Sequence, residues 1–239
     1  MIKRLLSLFA FAISGTILSG ADIFLAGDST CASYPAKRAP LTGWGQVLQG
    51  FCKEGVKVNN RAISGASTKT FIDTKAWDKL IAQVKKGDFV VIQFGHNDGN
   101  KKNEKKHTVP GGTFDANLKK FIADVRAKGA TPIIATSISR ATFNKQGVIS
   151  VGGLKRYCDA AAAVAKAEKV ELIDLNGATV KLFNTLKKEA THKLFMCSSG
   201  DPKRKSDVTH VNKAGAEEIA KLFVAAAKAQ KLSIAACFK

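Results

Sequence analysis

Residues 23–30 read IFLAGDST, a short apolar run that ends in glycine and is followed at once by three small polar side chains. The run predicts a buried β-strand, and in an open α/β sheet the chemistry lies in the crevice beyond the carboxyl ends of the strands. Ser29 is therefore a candidate nucleophile at the rim of a sheet. Taken alone, the tetrapeptide GDST favours a turn or a helix N-cap, because such side chains bond nearby backbone amides. The rest of the chain must supply a base, an orienting acid and oxyanion donors.

Downstream of this strand, apolar runs alternate with longer stretches of helical periodicity. That alternation is typical of βαβ units and a parallel sheet. We predict strands at residues 23–26, 56–59, 89–94, 132–137 and 170–175, and helices at 44–51, 76–86, 114–128, 154–169, 178–188 and 212–228. The sequence therefore predicts a three-layer α/β/α sandwich around a five-stranded parallel sheet, in one domain spanning residues 22–239.

The first 21 residues differ in character from the rest. Two basic residues precede a largely apolar segment, residues 5–18, and the tripeptide Ser-Gly-Ala after it offers the small side chains of a cleavage site. This pattern predicts a secretory signal peptide over residues 1–21. The apolar segment is shorter than the ~20 residues that a membrane span needs. We therefore expect an exported protein, extracellular or periplasmic, without stable membrane association.

The chain is strongly basic, with 38 Lys and Arg against 19 Asp and Glu and a net charge of +19. A field of that sign favours anionic partners. A nucleic acid is not the expected partner, because the basic residues are scattered through helical stretches and no nucleic-acid motif accompanies them. An acidic polysaccharide suits an exported protein better. A solvated basic surface without a specific partner remains the open alternative.

The five cysteines suggest structural rather than metal-binding roles. Their spacings contain no CxxC pair and no zinc pattern. In an exported chain disulfides form, and we predict a bond between Cys197 and Cys237, since both lie in late segments that would gain from being tied down. Cys158 lies in an alanine-rich helical stretch and is predicted to be a buried, small apolar residue.

Residues that could serve Ser29 follow later predicted strands. Gly65 lies in a loop of small residues after the second strand, and Asn97 follows the third strand. Asp207 and His210 stand three residues apart, just before the last helix. Asp174 and Asp201 compete with Asp207, but neither has a histidine three residues on.

Each of these residue types has a distinct chemical task. A serine hydroxyl needs an adjacent base, and histidine, with its unperturbed pKa of about 6.5, takes and returns a proton near neutral pH. Aspartate holds the imidazole in the right tautomer. The backbone amides of Ser29 and Gly65 and the side-chain amide of Asn97 are candidate donors to the oxyanion. The sequence therefore predicts a Ser29–His210–Asp207 triad.

These blocks resemble a known superfamily. GDST at residues 27–30, Gly65, GHND at 95–98 and DVTH at 207–210 look like the four blocks of the SGNH (GDSL-like) hydrolases. TGWG at 42–45, the loop at 60–67, QFGHND at 93–98 and HVNKAGA at 210–216 are similar to its rhamnogalacturonan acetylesterases. The resemblance extends over residues 23–226.

The resemblance implies a flavodoxin-like sheet and ester hydrolysis through an acetyl-serine intermediate, without a metal or other cofactor. It also implies that Ser29 is the nucleophile, that Asp207 and His210 complete the triad, and that Gly65 and Asn97 join the Ser29 amide in the oxyanion hole. The implied substrate is acetylated rhamnogalacturonan, a pectic backbone that contains galacturonate. We expect a monomer.

Three interpretations stay open at this point. The enzyme could act on another acetylated polysaccharide such as xylan, or on short-chain acyl esters or lipids, and a non-catalytic polyanion-binding protein is a further alternative. The basic runs at residues 101–106 and 203–205 could bind uronates or could simply be solvated. His96 could touch the substrate, although we favour a role in ordering its loop.

Overall fold

Five parallel strands form the centre of the computed structural model, which describes residues 20–239. The strands are β1 (Ile23–Gly27), β2 (Val58–Asn60), β3 (Phe89–Gln93), β4 (Thr131–Ala135) and β5 (Glu171–Ile173), in the spatial order β2-β1-β3-β4-β5. The predicted parallel sheet is confirmed, and its order is that of flavodoxin-like folds. The chain passes from β1 to β2 on one side of β1, and β3 lies on the other side of β1. The topological switch point of the sheet therefore lies between β1 and β3.

Both faces of the sheet are covered. In β1, Ile23 and Leu25 point into one hydrophobic core while Phe24 and Ala26 point into a second. All five residues of β1 are buried, and β3 shows the same pattern. Since successive side chains of a strand face opposite ways, a strand covered on both sides favours apolar residues on both faces, and the polar Gln93 stands only at the end of β3. This explains why the strand signal is a continuous apolar run.

Within residues 20–239, seven α-helices pack on the two faces and complete the predicted three layers. One face carries α1 (Trp44–Val47), α6 (Leu175–His192) and α7 (Lys213–Ala229), and the other carries α2 (Thr68–Asp73), α3 (Ala76–Ile81), α4 (Thr113–Ala127) and α5 (Leu154–Ala167). An aromatic pair packs in each layer. Trp44 lies 5.0 Å from Phe223 on the first face, and Trp77 lies 4.1 Å from Phe121 on the second, between ring centroids.

The helix after β2 differs from the sequence prediction. The predicted helix 76–86 ends as α3 at Ile81, and α2 before it was not predicted. Ser67 caps α2 through a capping box with Thr70, and Lys75, at φ 58°, separates α2 from α3. The S-x-x-T spacing is a weaker form of the S/T-x-x-E signal for a helix start, which explains the omission.

The bounds of β5 and of the helix after it also differ from the sequence prediction. Strand β5 is three residues long, and α6 begins at Leu175, three residues before the predicted start at 178. It follows directly after Asp174, whose side chain accepts from the Gly177 amide at 3.0 Å. The helix continues to His192 with a break at Lys187, where φ is 63°. The predicted helix 178–188 is therefore extended at both ends, because its aspartate N-cap was read as part of the strand.

The predicted disulfide between Cys197 and Cys237 is wrong, because all five thiols are free. The amide of Cys197 donates to the carbonyl of Asp207 at 3.0 Å, whereas the carbonyl of Cys237 accepts from Lys53 at 2.9 Å. The two cysteines thus belong to different neighbourhoods. The C-terminal tail is tied instead by burial of Ile234 and Phe238, which are 0% and 1% exposed. Cys158 is buried in α5, as predicted.

Two further observations concern only the described residues. The predicted signal peptide lies outside them except for its last two residues, 20 and 21. Within residues 20–239, no helix is both long and apolar enough to cross a membrane, and no cluster of three or more His, Cys, Asp or Glu side chains is arranged to hold a metal ion.

Candidate active site

Ser29 lies two residues beyond the end of β1, at the switch point of the sheet. Gly27 pairs with Gln93 of β3, so Ser29 projects into the crevice at the carboxyl ends of both strands. The side chain of Asp28 folds back and accepts hydrogen bonds from the Thr30 amide at 2.9 Å and from the Thr30 hydroxyl at 2.7 Å. The Tyr34 hydroxyl donates to the Ser29 carbonyl at 2.6 Å. These contacts hold the turn that presents Ser29, which is 7% exposed.

The TGWG block lies directly beneath this turn. A Cβ atom at Gly43 would overlap the backbone of Ala32, so only glycine permits the approach. The Trp44 indole donates to Gln93 Oε1 at 2.7 Å, and Gln93 Nε2 donates to the Thr30 hydroxyl at 3.0 Å. A buried chain of hydrogen bonds therefore joins α1 and β3 to the loop that carries Ser29.

His210 bridges Ser29 and Asp207. Its Nε2 lies 2.9 Å from Ser29 Oγ, and its Nδ1 lies 3.0 and 3.1 Å from the two carboxylate oxygens of Asp207. A carboxylate only accepts hydrogen bonds, so Nδ1 carries the proton and Nε2 is the acceptor that faces the serine hydroxyl. This arrangement can take the proton of Ser29 as its oxygen attacks an electrophile.

Asp207 is held in place by several donors. The backbone amides of Thr209 and His210 donate to Oδ1 at 3.2 and 3.0 Å, and Arg204 donates to Oδ2 at 2.7 Å. Burial alone would raise the pKa of Asp207, but the hydrogen bonds and charge of His210 outweigh it and lower the pKa to about 2. The group is a carboxylate at neutral pH. Arg204 stood out in the sequence only as part of a basic run, and no local signal connects it to Asp207.

The three candidate oxyanion donors lie on adjoining loops. Asn97 Nδ2 donates one hydrogen to the carbonyl of Ala66 at 2.9 Å, which joins the loop after β3 to the residue beside Gly65 and leaves the second amide hydrogen for a ligand. Within residues 20–239, neither the Ser29 amide nor the Gly65 amide donates to another protein atom. Gly65 has a φ of +80°, which an L side chain rarely adopts.

Asp98, next to Asn97, connects the loop after β3 to the start of α2. It is fully buried, and its Oδ1 accepts from the Thr68 amide at 3.0 Å, the Thr68 hydroxyl at 2.6 Å and the Thr108 hydroxyl at 2.9 Å. Burial raises the pKa of Asp98 to about 6. The carboxyl group thus fixes the N-terminus of α2 against the loop of Asn97. The sequence showed Asp98 within the GHND block but gave no sign of this positioning contact.

The other three histidines bond to backbone carbonyls. His96 Nε2 donates to the carbonyl of Ile138 at 3.1 Å, which fits the ordering role, and burial together with the charges of Arg140 and His210 lowers the pKa of His96 to about 4. His107 and His192 are half-buried and bond to the carbonyls of Asp98 and Ala141. Asp174 and Asp201 cap helical turns. Asp207 is therefore the carboxylate that meets His210.

Comparison with known families and proteins gives a consistent result. The GDSL-like Lipase/Acylhydrolase family matches residues 25–218. The rhamnogalacturonan acetylesterase RhgT of Bacillus subtilis (strain 168) is 38% identical over 206 residues, covering 84% of this chain and 87% of the relative. A probable rhamnogalacturonan acetylesterase of the same organism, YesY, is 36% identical over 200 residues, covering 84% and 89%.

Solved structures share the fold. The protein YXIM of Bacillus subtilis superimposes with a TM-score of 0.78 at 32% identity over 90% of this chain, and the present chain spans 58% of that protein. The acetylxylan esterase Axe2 of Geobacillus stearothermophilus gives a TM-score of 0.66 at 20% identity, covering 88% of this chain and 95% of that one. At that identity the likeness concerns the fold alone.

Proposed function

This chain belongs to the GDSL-like lipase/acylhydrolase family, and we propose that this ester hydrolase removes acetyl groups from acetylated rhamnogalacturonan with Ser29, His210 and Asp207 as its catalytic triad. The observation that carries the proposal is the hydrogen-bonded line from Ser29 Oγ through the two His210 nitrogens to Asp207, at 2.9 and 3.0 Å. The three triad residues and the candidate oxyanion donors come from four blocks of residues that are far apart in the chain.

In the acylation step, Ser29 Oγ attacks the carbonyl carbon of the acetyl ester and His210 Nε2 takes the hydroxyl proton. The negative charge that develops on the carbonyl oxygen is stabilised by the amides of Ser29 and Gly65 and by the free amide hydrogen of Asn97. The tetrahedral intermediate then expels the sugar oxygen, which receives the proton from His210. The sugar leaves with a free hydroxyl group, and the acetyl group stays on Ser29.

In the deacylation step, a water molecule attacks the acetyl-serine and His210 takes one of its protons. Collapse of the second tetrahedral intermediate releases acetate and returns the proton to Ser29 Oγ. Throughout, the Asp207 carboxylate stabilises the imidazolium and keeps Nδ1 protonated. No step needs a metal ion or a redox group.

Two observations of different kinds support rhamnogalacturonan as the substrate. Relatives at 36–38% identity over most of the chain are named rhamnogalacturonan acetylesterases or probable ones. The chain also carries a net charge of +19, which favours an acidic substrate. We further propose that the signal peptide at residues 1–21 directs export of the enzyme. Outside the cell it would meet such a polymer.

The test is acetate release by the purified protein from acetylated rhamnogalacturonan, acetylated xylan and longer-chain aryl esters. We expect release from rhamnogalacturonan and none with Ser29→Ala, because the alanine has no nucleophilic oxygen. An organophosphonate should label Ser29 in the wild type. Full activity of Ser29→Ala would refute the mechanism, and equal or faster hydrolysis of the other esters would refute the choice of polymer.

A further inference from the structure

A cavity of about 380 Å³ lies beside the proposed catalytic site. Its walls come from the loop after β3, which includes His96, from Arg140 after β4, and from the start of α5. His96 immediately precedes Asn97, so the cavity and the oxyanion donors share one loop. The volume is within the range of about 300–1,000 Å³ in which proteins bind small molecules.

The charged side chains that line the cavity are basic. Lys101, Arg140 and Arg156 contribute exposed side chains, and none of the residues from 20–239 that line the cavity is acidic. Among the described residues, none of these three cations forms an ion pair. Other cations do find partners, as Lys155 of the same helix does with Asp159 at 2.8 Å. Unpaired cations around a concavity concentrate the positive potential there.

The helix at the cavity adds to this potential. α5 begins at Leu154 after Gly153, and no side chain of the described part of the chain caps it. Its first turn contains no acidic residue. The Lys155 amide donates to the Gly152 carbonyl at 3.2 Å, and the positive end of the helix dipole lies at residues that line the cavity. Gly152 and Gly153 leave the backbone open to a ligand at this point.

We propose that this cavity is a carboxylate subsite, in which Arg140 and Arg156 bind the uronate next to the acetylated sugar. The inference rests on the proposed deacetylase function and names the residues that select an acidic polymer. Arginine suits the task because its planar fork pairs with both oxygens of a carboxylate. Lys101 lies on the same cavity and supplements the charge.

The first test measures binding without catalysis. Trigalacturonate, which carries no acetyl group, is titrated into the Ser29→Ala protein by calorimetry. We expect Kd to rise about tenfold or more when Arg140→Gln and Arg156→Gln are added, because two charged hydrogen-bonding groups are lost. The charge-matched control, Lys145→Gln with Lys166→Gln, removes two exposed cations outside the cavity and outside both basic runs, and should leave Kd within about twofold.

The second test uses the active enzyme. In the Arg140→Gln/Arg156→Gln variant, KM for acetylated rhamnogalacturonan should rise about tenfold while kcat stays near the wild-type value, and hydrolysis of p-nitrophenyl acetate and acetylated xylan should be unchanged. Unaltered trigalacturonate affinity, or an equal loss on neutral and acidic substrates, overturns the subsite. Trigalacturonate binding without any acetate release would instead refute the proposed function alone.

Discussion

At the scale of single residues, the site combines one reactive hydroxyl group with several carboxylates that support it. Ser29 Oγ meets His210, whereas the carboxylates of Asp28, Asp98 and Asp207 each hold a loop in place. Of these three, Asp207 alone contacts the imidazole, and its low pKa follows from the donors around it. The residue types alone could not separate a positioning aspartate from a catalytic one, because both depend on hydrogen bonds made in the folded state.

Replacing Asp207 with Asn tests the orienting carboxylate. We expect kcat for p-nitrophenyl acetate to fall about 10³- to 10⁴-fold with KM little changed, because the amide no longer selects the tautomer that accepts the Ser29 proton. Initial rates and circular dichroism separate this effect from misfolding. Asp73→Asn, on an exposed surface, is the matched control. A variant that keeps a tenth of the activity would contradict the assignment.

Replacing Asn97 with Ala tests the oxyanion donor. The expected loss is about 10²- to 10³-fold in kcat, because one preorganised donor to the developing charge disappears. Steady-state kinetics on p-nitrophenyl acetate gives the comparison, and Asn103→Ala in the same loop serves as the control. An effect confined to KM would argue for substrate binding rather than stabilisation of the transition state.

At the scale of the elements, loops are connected through a few buried side chains. Gln93, the last residue of β3, accepts from Trp44 of α1 and donates to Thr30 after β1. The strands and the main helices follow from apolar periodicity, so they were predictable. The contacts between elements were not, because Gln93 appears in the sequence as one polar residue at the end of an apolar run.

Gln93→Leu keeps the volume and removes both hydrogen bonds. We expect the free energy of unfolding in urea to fall by about 1–3 kcal/mol, since the Trp44 indole N–H would be buried without an acceptor. Gln146→Ala, an exposed site, should change it by less than about 0.5 kcal/mol. Equal stability of the Gln93→Leu protein would show that the indole finds another partner.

The C-terminal tail is an element that no motif predicted. Phe238 is 1% exposed and lies 6.1 Å from Phe223 of α7, between ring centroids. Phe238→Ala should lower the free energy of unfolding by about 3–5 kcal/mol, because a large cavity opens in the core. The exposed Gln230→Ala is the control in the same urea titration. A loss below about 1 kcal/mol would mean that the tail contributes little.

At the scale of the whole molecule, two buried titratable groups make the stability depend on pH in opposite directions. The folded pKa of His96, about 4, lies below its ordinary value, so the unfolded chain takes up this proton first and stability falls as the pH drops from about 6.5 to about 4. Asp98 has the opposite sign. Its folded pKa of about 6 is raised, so the folded protein takes up the proton first and stability rises as the pH drops from about 6 to about 4.

Two variants separate these contributions. In His96→Gln, which keeps a donor for the Ile138 carbonyl, the free energy of unfolding relative to wild type should increase as the pH falls from about 6.5 to about 4. In Asp98→Asn the difference should run the other way. Urea midpoints at four pH values between 7.5 and 4.5 give the comparison. Differences from wild type that do not vary with pH would contradict both assignments.

By itself, the sequence determined the alternation of strands and helices, the position of Ser29 at the end of β1, and the blocks that supply Gly65, Asn97, Asp207 and His210. Such features depend on local periodicity and on residue types that stand close together in the chain. Only the tertiary structure decided which distant groups meet. Ser29 and His210 are 181 positions apart, and Arg204 pairs with Asp207. Arg140 and Arg156 line a cavity and form no ion pair within residues 20–239. The packing of the whole chain sets these distances, and no short stretch of sequence contains them.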